Sequence, residues 1–113
     1  MKLTIVYDNE IYANKPGIAD HGFSCFIQTK NHSILFDTGT NGKILIENMK
    51  NLSINYEAID IIIISHEHYD HNGGLNTLIP LLSNPIIYRL EPTPLANCKQ
   101  VTVTDAFQLT DKI

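Results

Sequence analysis

At 113 residues the chain is one small domain at most, residues 1–113. Hydrophobic residues make up 43% and charged residues 18%, a balance that buries a core and excludes a disordered tail. A net charge of −4 argues against nucleic acid or an anionic membrane as partner and leaves a small-molecule substrate as the expectation. The longest aliphatic run, Ile61 to Ile64, is far too short to span a bilayer. Leu3 to Tyr7 is too short for a signal-peptide core. Cys25 and Cys98 lie far apart and outside any metal-type spacing, so they read as reduced, small buried hydrophobes of a cytoplasmic protein.

Leu3–Tyr7 is rich in β-branched and aromatic residues and reads as a strand. Asn14-Lys15-Pro16-Gly17 is turn chemistry, so Asp8 to Gly22 is mostly loop. Phe23–Thr29 and Ile34–Phe36 read as two strands of a hairpin, joined through Lys30 to Ser33. The second stops at Asp37-Thr38-Gly39. Leu45, Met49 and Leu52 recur at i, i+4 and i+7, which predicts a helix over Lys43–Leu52, capped by Thr40 or Asn41.

Ala58–Ile64 reads as a strand, apolar on both faces and therefore inside a layered sheet. Ser65–Gly74 reads as a loop. Leu75–Leu82 resembles a short helix divided at Pro80. Ile86–Arg89, Gln100–Thr104 and Phe107–Thr110 read as further strands. Strands followed by alternating helix and strand predict an α/β layered fold.

The informative segment is Ser65-His66-Glu67-His68-Tyr69-Asp70-His71-Asn72-Gly73-Gly74, which holds three of the five histidines within six residues. In an extended chain, side chains two apart point the same way, so His66 and His68 converge while Glu67 points elsewhere. Two imidazoles at this spacing can share one metal. Asp70 and His71 follow at a turn, with Gly73-Gly74 supplying freedom to make it. Four nitrogen or oxygen donors in six residues suit a site for two divalent ions that activate a water. Zinc suits His and carboxylate ligands, as do iron and manganese. A solvated loop can carry one His idly, but three with an Asp at the mouth of a buried strand are harder to explain so. Strand ends of α/β folds are where sites are built.

His66-x-His68-x-Asp70-His71 resembles the signature of the metallo-β-lactamase superfamily. The preceding Ile61–Ser65, the following Asn72–Leu75 and the upstream Ile34-Leu35-Phe36-Asp37-Thr38-Gly39 fit the same pattern. The resemblance implies that His66 and His68 serve a first metal and Asp70 and His71 a second. It makes Asp37 an outer support of the metal loop, although turn chemistry alone reads it equally well as a helix cap. Asp70 is then also the catalytic residue, orienting the water. Val6-Tyr7-Asp8-Asn9 and Asp20-His21-Gly22-Phe23-Ser24 are similar to a subgroup of small hydrolases that includes dihydropterin ribofuranosylaminobenzene phosphate synthases. That subgroup usually carries Glu where Asp20 stands. Asp8 and His21 become candidates for the substrate rim, and His32 receives no role.

The superfamily fold is an αββα sandwich of two similar halves, and the resemblance covers the N-terminal half, a mixed sheet with helices on one face. The second half normally supplies further His and Asp ligands, and no His follows His71 here. Each metal then keeps two protein ligands, where catalytic zinc normally has three. The expectation is a truncated product, a split gene or a half that pairs with a second copy or a second chain. The implied function is metal-dependent hydrolysis, hydroxide held by the metals attacking an ester, phosphoester or related bond. The alternative is a non-catalytic metal-binding or interaction half-domain that works as a dimer or with a second chain.

Overall fold

A computed structural model describes residues 1–9 and 20–104. Most of the loop expected between Asp8 and Gly22, and the strand expected at Phe107–Thr110, lie outside the described residues. The described elements are β1 (Lys2–Tyr7), β2 (Ser24–Gln28), β3 (Ser33–Phe36), α1 (Gly42–Asn51), β4 (Ile61–Ile63), α2 (Tyr69–Asn72), α3 (Leu75–Leu78), β5 (Ile86–Arg89) and β6 (Lys99–Thr102).

The strands pair in chain order in one mixed six-stranded sheet. β1–β2 and β2–β3 are antiparallel, and β3, β4, β5 and β6 run parallel. The expected hairpin is present, with Gln28 opposite Ser33 and a Thr29 N–H bond to the His32 carbonyl at 2.9 Å closing the turn. α1 begins where Asn41 Oδ1 accepts from the Lys43 and Ile44 amides at 2.9 and 3.2 Å, so Asn41 and not Asp37 caps the helix.

β4 is shorter than Ala58–Ile64, because Tyr56–Ala58 close a 3-10 turn before it. It is nevertheless central and buried, between β3 and β5, with Ile62 fully enclosed. Pro80 acts as expected: α3 ends at Leu78, and a single 3-10 turn, Ile79–Leu81, succeeds it.

Alternation along the strands sorts the sheet into two unlike faces. Phe26, Leu35, Ile62 and Ile87 stand in one row and pack with Leu45 and Met49 of α1 and Leu75 and Leu78 of α3. The buried Asn48 ties α1 to the sheet edge by donating to the Val6 carbonyl at 3.0 Å. The opposite row runs through Ile5, Cys25, Phe36, Ile63 and Tyr88, and beside it through Leu3, Ile27, Ile34, Ile61 and Ile86. Among the described residues no helix packs on these rows; their edge is open, with Leu3 and Ile5 61% and 43% exposed, whereas Cys25, Ile34 and Ile61 toward the centre are buried. The helices therefore sit on one face, as the sequence implies. Among the described residues no helix is long and apolar enough to cross a membrane.

The strand directions decide where function can sit. β1, β3, β4 and β5 all point their C-terminal ends to one edge of the sheet. Tyr7, Asp37, Ser65 and Arg89 therefore emerge side by side, at the edge where α/β folds usually build sites.

Candidate metal centre

Asp37 organises this edge. Its carboxylate is 1% exposed, too buried to stand without partners. Oδ1 accepts from the Ser65 amide at 2.7 Å, and Oδ2 accepts from the Ser65 hydroxyl at 2.7 Å. Oδ2 also meets His71 Nδ1 at 2.7 Å. The Asp37 backbone sits at φ 60, a conformation that Asp adopts more readily than most side chains. From there its own N–H reaches the Ile63 carbonyl at 2.8 Å. A carboxylate on Nδ1 leaves Nε2 as the outward donor of His71, the arrangement typical of metal-binding imidazoles. Ser65 Oγ lies 2.9 Å from His66 Nδ1 and does the same for that ring. One buried carboxylate thus orients His71 directly and His66 through a hydroxyl.

The donor atoms converge. Ligand atoms of His66, Asp70 and His71 all lie within 4.8 Å of one another. The His66 and His68 rings meet edge to face with centroids 4.6 Å apart, so the spacing argument for their convergence fits the geometry. The tight group draws His66 from the first expected pair and both Asp70 and His71 from the second, and His68 is outside it. Asp70 Oδ2 is 3.4 Å from His71 Nε2, longer than a good hydrogen bond. It is close to the ~3.3–3.4 Å that separates two ligands on one tetrahedral ion with bonds of 2.0–2.1 Å. The residues present therefore fit a divalent cation.

The segment expected to be all loop contains α2, a single helical turn that carries Tyr69, Asp70 and His71. Its anchor is the β3 exit: the Thr38 amide donates to the His71 carbonyl at 2.7 Å, and the Gly74 amide donates to the Gly39 carbonyl at 3.1 Å. Gly73 is required for closeness and not for freedom, a correction to the turn argument. Its φ is an ordinary helical −63, but a Cβ there would lie 2.3 Å from the Thr40 carbonyl oxygen. Gly73→Ala is expected to cost about 1–3 kcal/mol by overpacking. Urea denaturation checks this, and a variant as stable as the parent would remove the close-approach argument.

His21 belongs to the same edge. Its Nε2 is 3.4 Å from Asp70 Oδ2, and its ring lies 6.0 Å from the exposed Tyr69 ring. The loop is set against the ligands by the Phe23 amide, which donates to the Asp70 carbonyl at 3.1 Å. Gly22, at φ +135, allows this approach, since a Cβ there would lie 2.5 Å from that same carbonyl. Asp8 is farther back: its carbonyl accepts from the Asp20 amide at 3.1 Å, which braces the loop. His32 pairs with Asp60 at 2.7 Å, at the opposite end of the sheet.

Tyr7, wholly buried, completes the brace. Its phenol bonds to the Asp20 carboxylate and accepts from the Asn41 amide at 3.0 Å. Burial, and then the hydrogen bond to Asp20, push it up to about 12 from an ordinary value of 10. The raised value means that its contribution to stability is full below pH ~10 and is lost as pH rises towards 12. Denaturation across that window should show the loss, and Tyr7→Phe should abolish the dependence. An unaltered pH profile in the variant would free Tyr7 of this role.

The sequence assigns no role to two site-edge residues. Ser65 figures there only within the Ile61–Ser65 stretch that fits the family pattern. Arg89, 3% exposed, takes Glu67 in a two-pronged pair, Nη2 to Oε1 at 2.7 Å and Nε to Oε2 at 3.0 Å. The Arg89 guanidinium holds Glu67 down at about 2, against the upward push of burial. Glu67 is turned to Arg89 and not to the candidate ligands, held there by this pair and not by strand alternation, since residues 65–67 are bends. The one signal for Arg89 is a lone cation closing an otherwise apolar strand.

The profile of the metallo-beta-lactamase superfamily matches residues 17–97. The chain is similar to a 7,8-dihydropterin-6-methyl-4-(beta-D-ribofuranosyl)-aminobenzene-5'-phosphate synthase of Methanocaldococcus jannaschii, at 40% identity, over 68% of this chain and 30% of that protein. It is similar to a ribonuclease Z of Alkaliphilus oremlandii at 32% identity, over 73% of this chain and 24% of that one. It thus matches only about a quarter to a third of the length of these relatives. In structure it resembles the metallo-beta-lactamase fold protein YhfI from Bacillus subtilis, with a TM-score of 0.64 at 20% identity, covering 90% of this chain and 45% of that one.

Proposed function

The chain belongs to the metallo-β-lactamase superfamily, and from that premise we propose that it serves metal-dependent hydrolysis of an ester or phosphoester in a small molecule. The observation that carries this is the convergence of His66, Asp70 and His71 at the sheet edge, with Asp37 behind them. His66 and His68 are the ligands of one ion and Asp70 and His71 those of a second, zinc being favoured by the donor set over iron or manganese. A divalent cation bound there supplies Lewis acidity and lowers the pKa of a bound water toward ~7. Asp70 orients the water, and Asp37 holds Nδ1 of His71 so that Nε2 faces outward. His21 and Asp8 border the substrate's approach. Phosphoester is favoured as the substrate class because the curated relatives carry a phosphate or a ribonuclease activity in their names.

A second reading has its own observation, the exposed apolar pair Leu3 and Ile5 at the edge of the sheet. A patch of this kind favours association. In that reading residues 1–113 form half of the sandwich and bind metal without turnover, as a dimer or with a second chain.

Purified alone, the chain is expected to retain metal after gel filtration, to sediment as more than a monomer, and to hydrolyse generic phosphodiesters and esters weakly with Zn or Mn. Metal retention without turnover in any assembly state would favour the second reading. A chain that retains no metal would sink both.

A further inference from the structure

We infer that Glu67 and Arg89 form a clamp that positions the metal ligands, with Glu67 acting through its two neighbours His66 and His68. The inference rests on the metal reading above and deepens it.

The loop that carries the candidate ligands leaves β4 after Ile63, and its last tie to a neighbouring strand is the Ile64 amide on the Tyr88 carbonyl at 2.9 Å. On its inner side Asp37 holds Ser65 and His71. Between those two points lie His66, Glu67, His68, Tyr69 and Asp70; the Phe23 amide braces Asp70 through its carbonyl, and Glu67 ties the first part of the stretch to β5. Both carboxylate oxygens are used. Oε1 accepts from Arg89 Nη2 at 2.7 Å and from Asn72 Nδ2 at 3.0 Å. Oε2 accepts from Arg89 Nε at 3.0 Å and from the Glu91 amide at 3.3 Å. Glu67 thereby joins the start of the loop to the end of α2, and both to β5.

Arg89 is fixed in turn. Its Nη1 donates to Gln100 Oε1 on β6 at 3.2 Å, and Gln100 Nε2 donates to the Thr93 carbonyl at 2.6 Å. A planar fork held at both ends sets direction as well as distance, which a lysine cannot do. Residues 65–67 form bends and not a strand, so the hold is one of anchoring: with Ser65 pinned to Asp37 and Glu67 pinned to Arg89, His66 is fixed from both sides and His68 from the side of Glu67. The pair does not touch the cluster; it decides which way the imidazoles face.

The test compares the parent chain with Glu67→Gln, Arg89→Lys and the double variant Glu67→Leu/Arg89→Met, with Asp60→Asn as control. The double variant removes both charges together, so no buried charge is orphaned and folding is preserved. With Co(II) alone as probe, each of the three is expected to bind roughly tenfold or more weakly, with displaced visible absorption bands. Asp60→Asn should match the parent. Without metal, amide exchange across residues 65–72 and at Glu91 should quicken in the double variant, while the β1–β2 amides stay protected.

A folded double variant with parental cobalt affinity and bands would overturn the positioning role. Unchanged exchange at those amides would overturn the clamp itself. A parent chain that takes no cobalt would sink the metal reading alone, and the exchange result would still decide whether the clamp exists.

Discussion

Replacing His66 and His68 by Ala should bring bound metal down to background, measured by elemental analysis after gel filtration. His66 is one of three residues whose donor atoms already lie within 4.8 Å, and His68 stacks edge to face upon it. Removing both cuts the set of four candidate donors by half and strips Asp70 and His71 of the imidazole that converges on them. His32→Ala is the matched control. It also removes an imidazole paired with a carboxylate, but that pair lies with Asp60 at the far end of the sheet. Its metal content should equal the parent's. Equal metal content in the double variant would refute the ligand assignment.

Removing the Asp37 carboxylate should act on metal and on stability together. Asp37→Ala takes away the acceptor of the Ser65 amide, the Ser65 hydroxyl and His71 Nδ1. With nothing to hold Nδ1, the His71 ring loses its orientation, and metal affinity should fall roughly 10–100-fold although no ligand is deleted. The fold should lose about 2–3 kcal/mol, since bonds to a buried charge are at the strong end of the range. Asp37→Gly separates the two effects. Glycine accepts φ 60 without strain, so it should be the more stable of the two variants and hold metal equally poorly. Chelator competition and urea denaturation give the two numbers. If both variants kept parental affinity, Asp37 would be a turn residue and nothing more.

These expectations rest on different kinds of legibility. The isoleucine strand, the hairpin, α1 and the break at Pro80 are local facts, set by periodicity, turn residues and the geometry of proline. They are readable because each depends on residues within a few positions of one another. So is the clustering of the candidate ligands: His66, His68, Asp70 and His71 are nearly contiguous, and a chain that turns after a strand can hardly scatter them. Boundaries are less readable. β4 loses both ends of its expected range, because a 3-10 turn takes Tyr56–Ala58 and the strand gives way to the metal loop after Ile63.

The amino-acid sequence by itself determined the elements, the family signature and the identity of the candidate ligands. Tertiary structure alone decided which of them meet. That His21 approaches Asp70 from a loop far upstream, and that Asp37 serves His71 and Ser65 together, depend on strands being brought side by side. The same holds for Arg89, an isolated cation at the end of an apolar strand until β5 places it beside Glu67. The reason is the parallel pairing of β3, β4 and β5. Parallel strands deliver the residues after their C-terminal ends to one edge, however far apart they lie in the chain, and hydrogen bonds across that edge are invisible to any pattern of spacing.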